Sequence, residues 1–135
     1  MVQQGQCLCG QVKITLKKDQ DAQVACHCLD CKKLSGAPYT SNTIIDDADA
    51  ELTGETKSYT SKADSGNDVE HIFCPTCGST IANRSPAYAG KTCYKTGLFP
   101  DYKSVKFGAE IYVKDRFSSL PQIEGAGQEQ AMPSS

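Results

Sequence analysis

The spacing of the cysteines constrains this chain more than any other feature of its sequence. Seven of the eight cysteines fall into three local groups, and the eighth, Cys93, stands alone. The groups are Cys7-Leu8-Cys9, Cys26-His27-Cys28-Leu29-Asp30-Cys31 and Cys74-Pro75-Thr76-Cys77-Gly78. Clustered cysteines form either disulfides or metal sites, and a reducing compartment favours metal sites. Because these spacings also suit metal ligation, we predict that the groups bind zinc.

The first and last groups can together complete one tetrahedral site. In the last group, proline and glycine favour a tight turn that directs the sulfurs of Cys74 and Cys77 towards one ion. In an extended segment, Cys7 and Cys9 project from the same face and offer a second pair of thiolates. A structural zinc takes four protein ligands, so we predict that these two pairs share one ion and close a long loop.

The middle group supplies three thiolates, those of Cys26, Cys28 and Cys31. Three protein ligands and one open position are typical of a catalytic zinc. The alternative is a second structural zinc, completed by a fourth ligand from a small set of candidates: Cys93, His71 and His27. Spacing alone does not distinguish the open site from the closed one.

Length and charge limit the class of protein. The 135 residues fit one domain, and 14 basic against 16 acidic side chains give a net charge of -2. Without a basic cluster we expect neither nucleic acid nor an anionic membrane as partner. The N-terminus lacks the features of a secretory signal, and no segment approaches about 18 apolar residues. We therefore expect a cytoplasmic protein.

Alternating apolar residues of β-branched and aromatic type predict a β-rich domain. The predicted strands lie at residues 12–16, 51–53, 57–60, 69–73, 79–81 and 109–113. A short helix is predicted to start within residues 30–34 and to stop at Ser35-Gly36-Ala37-Pro38. We expect one zinc-binding domain over residues 1–123 and a loosely ordered tail over residues 124–135, which has almost nothing to bury.

The order of the motifs resembles the glutathione-dependent formaldehyde-activating enzyme (GFA) and centromere protein V family. These motifs are Cys-x-Cys-Gly, then Cys-His-Cys-x-x-Cys-Lys followed by Ser-Gly-Ala-Pro, then Phe-Cys-x-x-Cys-Gly-Ser, and the match runs from Gly5 to about Leu120. The resemblance implies a mainly β fold, a β-tent of mostly antiparallel sheets. It also implies two zinc ions per chain: a structural ion on the outer pairs and a functional ion on Cys26, Cys28 and Cys31, where glutathione acts.

The resemblance further implies a carbon-sulfur lyase or synthase acting on glutathione or on an adduct such as S-hydroxymethylglutathione from formaldehyde. A zinc on three thiolates suits exchange of a sulfur ligand better than activation of water. Lys32 or Lys33 could meet the carboxylates of glutathione, and Tyr39 could donate a proton to a developing alkoxide. The alternative is a non-catalytic, zinc-stabilised binding or interaction module. The family often has a tryptophan in its last strand region, whereas this chain has no tryptophan and offers Phe117 there. Its substrate can therefore differ from the one for which the family is named.

Overall fold

The computed structural model describes residues 3–132, and most of the regular structure in that range is β-strand. Its strands are β1 (Gln3–Gln6), β2 (Lys13–Leu16), β3 (Ala22–Cys26), β4 (Thr40–Asp46), β5 (Ala50–Thr53), β6 (Lys57–Lys62), β7 (Asp68–Phe73), β8 (Thr80–Arg84), β9 (Lys91–Lys95), β10 (Lys106–Ile111) and β11 (Gly127–Gln128). The α-helix α1 (Leu29–Ser35) is joined by 3-10 helices at Asp47–Asp49, Pro86–Tyr88, Thr96–Leu98, Pro100–Ser104 and Val113–Asp115. Within the described residues, no helix is both long and apolar enough to cross a membrane.

The expected mainly β fold with mostly antiparallel pairing is confirmed. Predicted strands in the first 81 residues correspond to β2, β5, β6, β7 and β8, and the predicted short helix is α1. The sequence pattern missed β1, β3, β4 and β9. Their inward positions carry polar side chains, among them Gln23, Asn42 and Thr92, each at most 6% exposed. Alternation of apolar residues cannot reveal a strand whose buried face is polar.

The structure divides into two compact units, and the first comprises residues 3–19 and Ile44–Lys103. Here β2 pairs with β1 and β5, and β7 pairs with β6 and β8, all antiparallel. Strand β8 pairs in the same sense with β9. Val12, Ile14 and Leu16 are fully buried in this unit. Val12 also contacts the first cysteine group, because its carbonyl accepts the Cys7 N–H at 3.0 Å.

The second unit comprises Gln20–Thr43 and the chain from residue 104 onwards. Its centre is β3, which pairs antiparallel with β4 and parallel with β10. Cys26, the last residue of β3, lies opposite Thr40 on one side and Ile111 on the other. Helix α1 begins three residues after Cys26, so the end of β3 and the start of α1 present the middle cysteine group.

Strand β11 lies inside the segment for which a loosely ordered tail is predicted. It pairs parallel to β10, and the Glu129 N–H donates to the Glu110 carbonyl at 2.9 Å. Ala126 is buried beside it. Backbone pairing therefore holds this stretch despite its polar composition, and residues 133–135 lie outside the described range. The domain boundaries 1–123 and 124–135 stay a prediction. Each compact unit combines two separate stretches of the chain.

Candidate metal centres

Four thiols converge in the first unit. Their sulfur atoms all lie within 4.8 Å of one another and belong to Cys7, Cys9, Cys74 and Cys77, which we call the four-thiol cluster. The Sγ of Cys9 is 3.6 Å from that of Cys7 and 3.7 Å from that of Cys74. Four soft donors at this spacing match the donor set of a tetrahedral structural site.

Two similar turns position these four thiols. The Gly10 N–H donates to the Cys7 carbonyl at 3.0 Å, and the Gly78 N–H donates to the Cys74 carbonyl at 2.9 Å. Both glycines have positive φ, 82° and 76°, which other residues adopt only with strain. The expected extended conformation of Cys7 and Cys9 is wrong: they lie in a turn closed by Gly10, and the turn, not strand alternation, brings their sulfurs together.

Hydrogen bonds stabilise two of these sulfurs as thiolates. The Ser79 hydroxyl lies 3.1 Å from Cys77 Sγ, and this bond is the main reason that the pKa of Cys77 is lowered to about 5. Burial raises the pKa of Cys7, but the Val12 N–H, 3.3 Å from its sulfur, and neighbouring thiols lower it to a greater extent. Such donors favour the charged form that metal binding requires.

The middle group converges in the second unit. The sulfurs of Cys26, Cys28 and Cys31 lie within 4.8 Å of one another, and we call them the three-thiol cluster. Cys28 is the N-cap of α1: its Sγ accepts the Cys31 N–H at 3.2 Å, as a serine oxygen would. Gly36, with φ of 67°, ends the helix. No further cysteine, histidine or carboxylate among residues 3–132 belongs to this cluster.

Hydrogen bonds among the thiols, together with burial, disfavour the thiolate forms in the three-thiol cluster. The neighbouring thiols of Cys28 and Cys31, together with burial, raise the pKa of Cys26. A hydrogen bond with Cys26 lowers the pKa of Cys28, but Cys31 and burial outweigh it and raise that pKa to about 11. A divalent cation would reverse this balance, because it holds coordinated thiols deprotonated. The donor set therefore fits a soft or borderline dication.

His27, between two of these cysteines, is buried and does not belong to the three-thiol cluster. Its Nε2 lies 2.9 Å from Glu110 Oε1, and both side chains are 1% exposed. Sequence reasoning missed Glu110 because the alternation over residues 109–113 assigned it to the outer face. In the structure the side chain of Glu110 instead faces inward. Strand β10 ends at Ile111, and Tyr112, the next residue, has a positive φ of 55°.

The expected substrate-binding residues occupy different environments in the second unit. Tyr39 is half-buried, with its ring centroid 5.1 Å from that of His27, and therefore lies near the three-thiol cluster. Lys33 is exposed on α1. Lys32 instead turns towards the C-terminal segment, where its Nζ donates to the Asp115 carbonyl and lies 4.5 Å from the Phe117 ring centroid. Of the two lysines, Lys33 is the one whose side chain faces solvent.

Two other candidate ligands lie in the first unit. Cys93 is buried in β9. His71 is buried in β7, and its Nε2 is 2.8 Å from the Ser61 hydroxyl. Neither is part of the four-thiol cluster.

Fold and sites together define a class: a mainly β protein with two cysteine clusters that could bind metal ions. The model of the family described as glutathione-dependent formaldehyde-activating enzyme, GFA, matches residues 2–115. The chain therefore belongs to the GFA family, a metal-binding family that acts on glutathione-related substrates.

Two other proteins are similar to this chain. An uncharacterized lyase of Schizosaccharomyces pombe is 24% identical over 116 residues, which cover 84% of this chain and 80% of the relative. The crystal structure of a Rhodobacter sphaeroides protein superposes with a TM-score of 0.57 at 18% identity, covering 77% of this chain and 98% of that one. At this identity the second likeness concerns the fold alone.

Proposed function

We propose that the protein is a zinc-dependent carbon-sulfur lyase or synthase that acts on glutathione or a glutathione adduct. S-hydroxymethylglutathione formed from formaldehyde is the example that the family description suggests. Membership of the GFA family and the lyase name of the yeast relative support this reaction class. The proposal includes a cytoplasmic location, because thiol ligands persist best in a reducing compartment.

The proposal assigns one zinc ion to each cluster. Cys7, Cys9, Cys74 and Cys77 would hold a structural ion, since four protein ligands complete a tetrahedron. Cys26, Cys28 and Cys31 would hold the functional ion and leave one position for substrate. The observation that carries this assignment is the count of three thiols in the second cluster, with no fourth ligand group beside them in the described chain.

A zinc ion held by these three thiolates would keep a substrate thiol deprotonated at neutral pH, with the thiol proton released to solvent. In the synthase direction the substrate sulfur forms a bond to the carbonyl carbon of formaldehyde, the carbon-oxygen π bond opens, and the new oxygen takes up a proton. Tyr39 is our proposed donor of that proton, since it lies beside the cluster segment. The exposed Lys33 is proposed to meet a carboxylate of glutathione.

Metal analysis of matched variants tests the assignment. The wild type should contain two zinc ions per chain, and Cys93→Ser should retain both. Cys28→Ser should contain one and should lose turnover of S-hydroxymethylglutathione, whereas Cys93→Ser should keep it. If Cys93→Ser loses the second zinc, the site is closed and structural. That result would favour a non-catalytic, zinc-stabilised binding module instead.

A further inference from the structure

A buried carboxylate supports the residue that separates two thiols of the three-thiol cluster. His27 follows Cys26 and precedes Cys28, so any shift of its backbone moves both sulfurs. Its imidazole pairs with Glu110 at 2.9 Å, and each of the two side chains is 1% exposed. Burying such a polar pair carries a large desolvation penalty, and an apolar pair of similar volume is often as stable. Packing alone therefore gives little reason for this pair.

Glu110 is itself fixed from the opposite side. Its Oε2 accepts the Ile123 N–H at 2.9 Å, Gln128 Nε2 at 2.8 Å and Arg116 Nη1 at 3.4 Å. Gln128 in turn accepts from Arg116 at 2.7 Å. With Oε2 bound in this way, Oε1 is directed at His27. The three residues that donate to Oε2 all follow residue 115, where the match to the family model ends.

His27 is held at three points within the second unit. Its backbone N–H donates to the Ile111 carbonyl at 3.1 Å, its Nε2 donates to Glu110, and its ring packs on Tyr39. The other ring nitrogen, Nδ1, is buried without a hydrogen-bond partner among residues 3–132. Glu110 thus provides the single hydrogen bond that orients the ring in the described chain.

We propose that Glu110 is a positioning residue for the three-thiol cluster and acts through His27. It holds the segment from Cys26 to Cys28 in the conformation in which the three sulfurs converge, and it touches neither metal nor substrate. The inference rests on the proposed metal site at this cluster. Partners that orient the ligands of metal sites typically change metal affinity by about 10–100-fold when they are removed.

Cobalt(II) titration of the full chain tests this role through a signal other than activity. Thiolate-to-cobalt absorption reports binding, and the part lost in Cys28→Ser belongs to the three-thiol cluster. Glu110→Gln keeps the size of the side chain but presents an amide to donors on both sides. We expect the cobalt affinity of the three-thiol cluster to fall by about tenfold, with that of the four-thiol cluster unchanged.

Two further variants separate positioning from general destabilisation. Ser61→Ala removes a hydrogen-bond partner of another buried histidine, His71, in the first unit and should leave both cobalt affinities unchanged. His27→Gln should weaken the three-thiol cluster as Glu110→Gln does. Because the carboxylate acts through the imidazole, the double variant should lose no more than the larger single loss. Additive losses, or an unchanged affinity in Glu110→Gln, would overturn the proposal.

A milder variant keeps the test decisive if Glu110→Gln does not fold. Gln128→Ala removes one donor from Glu110 Oε2, and we expect a smaller loss of cobalt affinity at the same cluster. An unchanged affinity in Gln128→Ala would then refute the positioning role. A wild-type protein without any cobalt signal that depends on Cys28 would refute the proposed metal site as well.

Discussion

Ser79 connects the two turns of the four-thiol cluster. Its hydroxyl lies 3.1 Å from Cys77 Sγ and accepts the Leu8 N–H at 3.1 Å. One side chain thus stabilises a thiolate in the second turn and fixes the backbone of the first. Because its bond to sulfur lowers the pKa of Cys77 to about 5, this thiolate persists when the solution becomes mildly acidic.

Ser79→Ala should release metal from the four-thiol cluster at a higher pH than the wild type. Without the hydroxyl, the pKa of Cys77 rises towards its ordinary value of 9.0, so protons displace the metal earlier during acidification. Zinc release into a chromogenic chelator, followed from pH 8 to 4, measures the midpoint. Thr76→Val is the matched control, since Thr76 bonds to Gln11 rather than to sulfur and should leave the midpoint unchanged. Coincident midpoints for Ser79→Ala and wild type would contradict this role.

The cysteine ligand candidates could be predicted from sequence because each group is local, and the spacing within a group limits where its sulfurs can go. Glu110 could not be predicted, because its partner His27 lies 83 residues away and the apolar alternation over residues 109–113 places Glu110 on the outer face. The same holds for Gln128, which sits in a segment whose composition suggests a tail. Residues that support a site from a distance leave no local signal.

Among the elements, α1 links the fold to the three-thiol cluster. The helix has only seven residues, and none of them is buried. Its ends are therefore important: Cys28 caps the first turn, and Gly36 closes the last with its N–H on the Lys32 carbonyl at 2.8 Å. A helix this short depends on its caps, because nucleation is unfavourable and few hydrogen bonds follow it.

Replacing Cys28 by serine or by alanine separates the cap from the ligand. Both variants lose the thiol, but serine retains an oxygen that can accept the Cys31 N–H. We expect Cys28→Ala to unfold with a free energy about 1 kcal/mol lower than Cys28→Ser, and both to lose the same single metal ion. Urea denaturation of the two variants measures the difference. If the two variants are equally stable, the side chain at position 28 does not cap α1 in solution.

Strand prediction succeeded where one face of the strand is apolar, as in β2 with Ile14 and Leu16. It failed for β3 and β4, whose inward residues include Gln23 and Asn42. Gln23 is buried because its Nε2 donates to the Val105 carbonyl at 2.7 Å, and Asn42 because it donates to Thr40 and Val24. These bonds depend on tertiary pairing, so the sequence contains no periodicity that predicts them.

At the scale of the whole molecule, the two clusters connect the chain in different ways. The four-thiol cluster joins Cys7 to Cys77 across most of the first unit, whereas the three-thiol cluster spans six consecutive residues of the second. Closing a long loop restricts the unfolded chain, and closing a short one restricts it little. This difference supports the proposed structural role of the first cluster and leaves the second available for the proposed functional role.

The two roles predict unequal effects of the same substitution. Cys77→Ser should lower the melting temperature strongly or cause aggregation, because it removes one ligand of the proposed structural ion, which would join the Cys7 and Cys74 turns. Cys28→Ser should remain folded with a melting temperature close to that of the wild type, yet lose turnover. Thermal unfolding by circular dichroism compares them at equal protein concentration. Equal destabilisation would contradict the division of roles.

The arrangement of the chain in two units was not predictable from composition. Each unit combines an early and a late stretch, and no change in residue usage marks residues 19, 43 or 103. Parallel pairing of β3 with β10, more than 80 residues apart, also has no local signature. What the sequence could predict was the local chemistry of the cysteine groups, which is where the proposed function lies.

Binding of glutathione with release of a proton is the most direct test of the proposed function. If the substrate sulfur takes the open position at the three-thiol cluster, its thiol must ionise on binding. Calorimetric titration of protein shown to contain two zinc ions, in buffers of different ionisation enthalpy, should give release of about one proton per chain. Cys28→Ser should release none. Absence of binding to the wild type at millimolar glutathione would contradict the account.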